Sequence, residues 1–270
     1  MTDIEDIIRK RTSVRTFDGR PLKEEDVEKL REHISSLENP FGVPIEFRIL
    51  DPKEHGLSSA VVNGEDLYLS AKMKRGVPNC EIAYGYAFEE VCLFALSIGV
   101  GTVMLAASLS RQEFEKAMEV GPDEVMPVGS PLGYPAKKRS IKDAVMRKGL
   151  KADQRRPFGE LFYSGTYGNQ LDEKEAGIYL TALEMARLAP SAANKQPWRA
   201  IVSDGKVHFY ERRTMRESPL GDIQKVDVGI ALCHFDLTMK EEGRNGSFFT
   251  EDPGFDVPDD VEYIISYKVE

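Results

Sequence analysis

Three cysteines in 270 residues, Cys80, Cys92 and Cys233, are too few and too widely spaced for a disulfide framework, and no C-x-x-C pair occurs. Each sits among apolar neighbours, the setting of a buried free thiol. The four histidines, His33, His55, His208 and His234, show no ligand spacing with a cysteine or with one another, so no metal site is expected. His234 falls on an apolar helical pattern and reads as an interior residue. G-x-S-x-G, G-x-x-x-x-G-K-[ST], H-E-x-x-H and G-x-G-x-x-G are all missing, which leaves the sequence without the common hydrolase, P-loop, zinc-protease and dinucleotide signatures. No apolar run approaches the roughly 18 residues of a membrane span. The longest, VCLFALSIGV from Val91 to Val100, suits a buried helix.

Positive charge is in deficit as well. A net charge of −9 argues against a nucleic-acid partner, because phosphate contacts need a basic surface. The opening MTDIEDIIRKR is amphipathic and lacks the basic and apolar regions of a secretory leader, so a cytoplasmic, non-membrane protein is expected. Basic residues do gather between Pro135 and Arg156, in PAKKRSIKDAVMRKGLKADQRR. Such a run is either a solvated linker with charged helix faces or a site for one or two phosphates. With 41% hydrophobic and 30% charged residues, the chain can bury a sizeable core as one large domain or two ordinary ones.

Periodicity organises what remains. Helices are expected at about 2–10 and 23–36, a strand at 45–50 (IEFRIL) and another in DLYLSAK. A long helix should run from about Glu81 to Ile98, followed after GVGT by a strand VMLAA, a helix SRQEFEKAMEV and a strand EVMPVGSPLGY. The second half then repeats the order. A charged helix DEKEAGIYLTALEMARLA leads through a proline-containing turn to the strand WRAIV, then come the strand VHFYE, the long apolar helix VDVGIALCHFDLTMKEE and the strand VEYIISYKV. Two copies of one programme suggest duplication. The halves, 1–140 and 157–270, would be joined by a linker at 141–156 and packed through their long helices as a pseudo-dimer.

RTSVRTF, Arg11 to Phe17, resembles the amino-terminal motif of the FMN-dependent nitroreductases, and APSAANKQPW, within Leu188 to Trp198, resembles that family's second motif. GVGTVMLAA and LGYPAKKR resemble the segments that complete the flavin pocket, in matching order. The resemblance covers most of residues 1–140 and about 172–240. It is nearest to the subfamily in which one chain carries two fused half-repeats, and it implies an α+β nitroreductase-like fold. Ordinary members are homodimers with two FMN sites, each assembled from the first motif of one subunit and the second motif of the other. In this chain the first half has LENPFGVPIEF where the second motif should stand, and the second half has RPFGELF where the first should recur. Each half keeps one complementary piece. One FMN site per chain is therefore implied, with its symmetry mate lost, in a monomer whose large interface is already internal.

The same resemblance suggests residue roles. Arg11, Thr12 and Ser13, helped by Lys138 or Arg139, would meet the phosphate, for which guanidinium groups are strong partners. Arg15 would stabilise the negative charge of the reduced flavin electrostatically. Pro190, Ser191, Ala192 and Asn194 would offer side-chain or backbone partners to the ring and ribityl chain, while Leu105, Ala106 and Ala107 would approach its reactive edge. The implied reaction passes a hydride from NAD(P)H through FMN to a nitroaromatic, quinone or similar small acceptor, with no further catalytic side chain. Against this stand plainer readings: solvent-facing arginines at a helix end, and an Asx-type turn before a strand. Relatives that dehalogenate or cleave flavin, and non-catalytic flavin binders, are the functional alternatives. The weakly patterned segments 51–79 and 244–258 leave room for a lid.

Overall fold

The computed structural model describes residues 3–270. The first half comprises α1 (Ile4–Lys10), α2 (Glu24–Ser35), β1 (Glu46–Leu50), α3 (Pro52–His55), β2 (Leu67–Lys74), α4 (Cys80–Ser97), α5 (Arg111–Ala117), β3 (Glu124–Val125) and β4 (Gly129–Leu132). Then follow α6 (Ile141–Gly149), α7 (Phe158–Leu161), β5 (Phe162–Ser164), α8 (Glu173–Ala176) and α9 (Leu180–Arg187). The chain ends with β6 (Trp198–Ser203), β7 (Lys206–Arg212), α10 (Ile223–Glu241), β8 (Gly246–Phe249) and β9 (Val261–Val269).

The duplication is visible in the sheets. Strand β2 pairs antiparallel with β1 on one side and with β4 on the other; β7 pairs in the same way with β6 and β9. The second sheet, ordered β5-β6-β7-β9-β8, carries β5 as a parallel edge strand on β6. Because β5 follows α6 and α7, the segment leaving the first half ends stitched into the sheet of the second.

Between the sheets lie α4 and α10, both too apolar to expose a face. Residues Ile82 to Glu89 of α4 and Val226 to Asp236 of α10 are buried without interruption, as expected for helices covered on every side. Glycine lets their backbones touch. A Cβ on Gly85 would lie 2.0 Å from the Val226 carbonyl oxygen, and one on Gly229 would lie 2.1 Å from that of Ile82. These contacts are reciprocal, the mark of a two-fold relation between equivalent surfaces. Cys80, Cys92 and Cys233 are buried and unbridged.

Three expected elements take another form. EVMPVGSPLGY, expected as one strand, is split into β3 and β4, which pair with different parts of β2. VMLAA makes no strand: Leu105 alone exchanges backbone hydrogen bonds with Gly129, at 2.9 and 3.0 Å, and the chain then turns away. The helix expected through DEKEAGIYLTALEMARLA is interrupted at Gly177, whose φ of +53° no right-handed helix accommodates, so a 3₁₀ turn separates α8 from α9. Among the described residues, no helix is long and apolar enough to cross a membrane.

Candidate functional site

A cavity of about 460 Å³ opens where the loop after α1 meets the α9–β6 connection. Arg11, Thr12, Ser13 and Arg15 line one side, Pro190, Ser191 and Asn194 the other, with Arg139, Arg147 and Arg155 between them. Both motifs thus reach one space, although they lie in different halves. Its volume falls within the range of roughly 300–1,000 Å³ usual for small-molecule pockets.

Local structure sets each group. Helix α1 ends at Arg11, and Val14 N–H donates to the Thr102 carbonyl at 2.9 Å, fixing the extended run through Arg15 against GVGT. A Cβ on Gly101 would press on the Val14 side chain at 3.0 Å, so the glycine permits this approach. Opposite, the turn is strained: Ala193, Asn194 and Gln196 have φ of +48°, +56° and +52°. It is held by Ser191 Oγ, which accepts from Gln196 N–H at 2.9 Å, and by Asp227 of α10, which accepts from Ala192 N–H at 3.0 Å.

The arginines differ in how their charge is met. Arg11 is committed inward: its Nε lies 2.7 Å from Oε1 of the fully buried Glu89, which also faces His234 Nε2 at 2.9 Å. His234 Nδ1 lies 3.0 Å from the Met185 carbonyl and, facing an acceptor-only group, carries a proton. Arg15 is nine-tenths buried, with Nη1 3.5 Å from Asp143 Oδ1; its Nε and Nη1 and both Asp143 oxygens have no hydrogen-bond partner. Burial pulls Arg15 below the ordinary arginine value, and Asp143 opposes that shift. Arg147 donates to Thr12 Oγ1 at 3.0 Å and pairs with Asp153. Arg155 meets only neutral acceptors: its Nε and Nη2 donate to the Leu188 carbonyl at 3.1 Å, and burial, reinforced by Arg11 and Arg187, pushes it down to about 10. The cavity wall carries unneutralised positive charge suited to an anion.

Five of the expected site residues lie outside this lining. Leu105 is buried in its bridge with Gly129, the Ala106 carbonyl accepts from Arg111 Nη2 at 2.9 Å, and Ala107 and Lys138 are exposed. Ala192 has its N–H occupied by Asp227. Asn194 does line the cavity, but its amide donates to the Lys151 and Gln154 carbonyls at 2.8 and 3.1 Å. Those carbonyls belong to the segment 140–156. That segment lines the cavity through Arg147, Leu150, Ala152, Asp153 and Arg155, and neither 51–79 nor 244–258 contributes to the lining. Its arginines, Arg147 and Arg155, were signalled in the sequence only by the basic run. Glu89 and Asp227, which anchor Arg11 and the turn, gave no signal, since nothing in the sequence sets them apart from the other acidic residues of α4 and α10.

The α2–β1 connection, which stands where the second motif would recur in the first half, meets the chain beyond α10 through aromatic rings. Phe41 packs 5.3 Å from Phe248 and 5.9 Å from Tyr86 between centroids, and Phe248 packs 5.0 Å from Tyr267.

Two antiparallel α/β units back to back on glycine-bearing helices, with a cationic cavity shared between them, define a duplicated nitroreductase-like α+β fold. Residues 3–239 match the family described as "Putative TM nitroreductase", and the chain belongs to that family. It is similar to a solved structure, described as a "putative nitroreductase", from Thermotoga maritima MSB8, with 23% identity over 99% of this chain and 93% of that one and a TM-score of 0.64. An FMN-dependent nitroreductase of Clostridium difficile R20291 aligns over 51% of this chain and 92% of its own, at 14% identity and a TM-score of 0.42. An iodotyrosine deiodinase bound to FMN and 3-iodo-L-tyrosine aligns over 51% and 92%, at 19% identity and a TM-score of 0.43. None of the curated proteins matches the chain.

Proposed function

We propose that this protein is an FMN-dependent NAD(P)H oxidoreductase of nitroreductase type with one cofactor site per chain. The observation that carries the reading is Arg15: a buried guanidinium lining a shared cavity, whose Nε and Nη1 make no hydrogen bond and whose protein counter-charge, Asp143, stands 3.5 Å away. Buried polar groups are normally satisfied, so orphaned donors at a cavity wall suit a ligand acceptor. The donor set fits FMN. Arg15 would hold the electron-rich pyrimidine edge, Ser13 and Arg139 the phosphate, and Ser191 the polyol. Arg11, already balanced by Glu89, would fix the wall rather than bind phosphate. A bound FMN would supply the redox chemistry, taking up hydride from NAD(P)H for delivery to a small acceptor such as a nitroaromatic or quinone. The protein's part is to bind, orient and hold positive charge where negative charge develops. A monomer suffices, because both contributors to the site are in one chain.

The test is flavin stoichiometry and reduction. Protein incubated with FMN and desalted should retain one FMN per chain and bleach anaerobically on addition of NADH or NADPH. Arg15→Ala should slow bleaching at least tenfold while retaining flavin. A protein that cannot be loaded with FMN refutes the proposal; one that loads but never bleaches reduces it to flavin binding alone.

A further inference from the structure

Helix α6 is inside out. Its buried residues are Asp143 and Arg147, at 3% and 8% exposure, whereas Ile141 and Val145 on the opposite face are 85% and 66% exposed. A helix normally docks through its apolar stripe and leaves charges in water. On the docked face Met146 and Leu150 are only partly buried and join none of the apolar core clusters, so the hydrophobic effect holds this helix less than it holds an ordinary docked one. What holds it is polar: Asp143 on Arg15, Arg147 on Thr12, and Ser140 N–H donating to Thr16 Oγ1 at 3.1 Å. The Asp143 contact is also imperfect, since neither carboxylate oxygen has a hydrogen bond while two Arg15 donors beside it stay unpaired.

We propose that the segment 140–156 is a ligand-displaced cover whose latch is Asp143, a carboxylate that occupies the face of Arg15 and competes there with the acceptor atoms of an incoming anionic ligand. A cover held by charge is released by charge: a ligand that hydrogen-bonds Arg15 removes the one ion-pair partner that Asp143 has among the described residues, and the buried carboxylate then gains by returning to water. Release need not disturb the other end, where Asn194 ties the Lys151 and Gln154 carbonyls. Helix α6 would swing on the stretch from Gly149 to Lys151, whose φ of +50° at Lys151 already marks a break. This inference rests on the functional reading only for the identity of the ligand, not for the latch.

Hydrogen exchange read by mass spectrometry tests it. In ligand-free protein, Asp143→Asn should speed exchange of the amides in 141–149 tenfold or more, with α10 unchanged as the control for global unfolding. Glu160→Gln, which alters only the exposed pair with Arg156, should leave 141–149 as in wild type. In wild type, FMN followed in parallel by flavin fluorescence should speed exchange in the same peptide, and Asp143→Asn should bind FMN more tightly. Unchanged exchange in Asp143→Asn overturns the latch, as does FMN that binds and leaves the peptide equally or better protected. Should FMN bind neither protein, the flavin reading fails, and the latch is still decided by the ligand-free comparison.

Discussion

Replacing Glu211 with glutamine should stabilise the protein at alkaline pH and do much less at acid pH. Glu211 stands on β7 opposite Trp198 and is fully buried, with both carboxylate oxygens lacking a hydrogen-bond partner. Burial raises its pKa to about 7, and Asp222 adds to the shift, while Lys225 and Arg213 only partly oppose it. The unfolded chain releases this proton near the ordinary glutamate value of about 4.5, whereas the folded chain holds it to about 7. Below the lower value both states are protonated and Glu211 costs nothing; as pH rises through the window between them, stability is lost. A displacement of this size corresponds to about 3 kcal/mol, at about 1.4 kcal/mol per pH unit. Glutamine keeps the shape and cannot ionise. For a 270-residue chain, about 3 kcal/mol is a Tm change of about 5 °C. Thermal melts of wild type and Glu211→Gln at pH 5 and pH 8 give the double difference, in which other titrating groups cancel to first order. Coupling to Asp227, raised in part by Glu211, works in the same direction. An equal Tm difference at both pH values would show that Glu211 is not protonated in the native state, and the reasoning would be wrong.

Three further outcomes follow from the helix pair and the site. Gly85→Ala and Gly229→Ala should each cost about 3 kcal/mol or more by forcing apart the α4–α10 crossing; urea denaturation checks this, and a neutral effect of either would contradict the backbone contact at 2.0–2.1 Å. Glu89→Gln should cost about 3–5 kcal/mol, because it leaves the Arg11 charge buried without its counter-ion. A loss under about 1 kcal/mol in the same assay would mean that Arg11 is balanced elsewhere. Arg156→Ala should leave the FMN content of loaded protein unchanged, since Arg156 sits in the half-motif that lost its partner and its side chain makes only the exposed pair with Glu160. Loss of flavin in that variant would argue for a second working site.

How far the sequence could be read depended on the range of the interaction. Local rules placed β1, β6, β7 and α4 within a residue or two and α10 within three, because period and apolar content decide such elements. They failed at Gly177, where one backbone conformation overrides a helical pattern, and at VMLAA, where strand propensity meets only one pairing residue. The order of RTSVR and APSAANKQPW was legible, and with it a shared site. The partners were not. That Arg11 would turn to Glu89, that Asp227 would grip the Ala192 amide, and that 140–156 would dock by its charges all depend on contacts between residues far apart in sequence, which no spacing rule encodes.

The fused architecture also explains why such asymmetry can persist. In a symmetric homodimer any change to one site is made in both, so a side chain that fills one pocket removes the other as well. Once the two halves share a chain they diverge independently. Phe41 of the first half and Phe248 of the second can then pack together without a symmetry-imposed copy and add aromatic contact, worth about 0.5–1.5 kcal/mol per ring pair beyond area burial. The segment joining the halves is similarly unconstrained by a second copy. Its Arg147 and Arg155 line the cavity between the two motifs and its Asp143 faces Arg15 there. A cover specific to one site is available to a duplicated chain because its two halves are no longer equivalent.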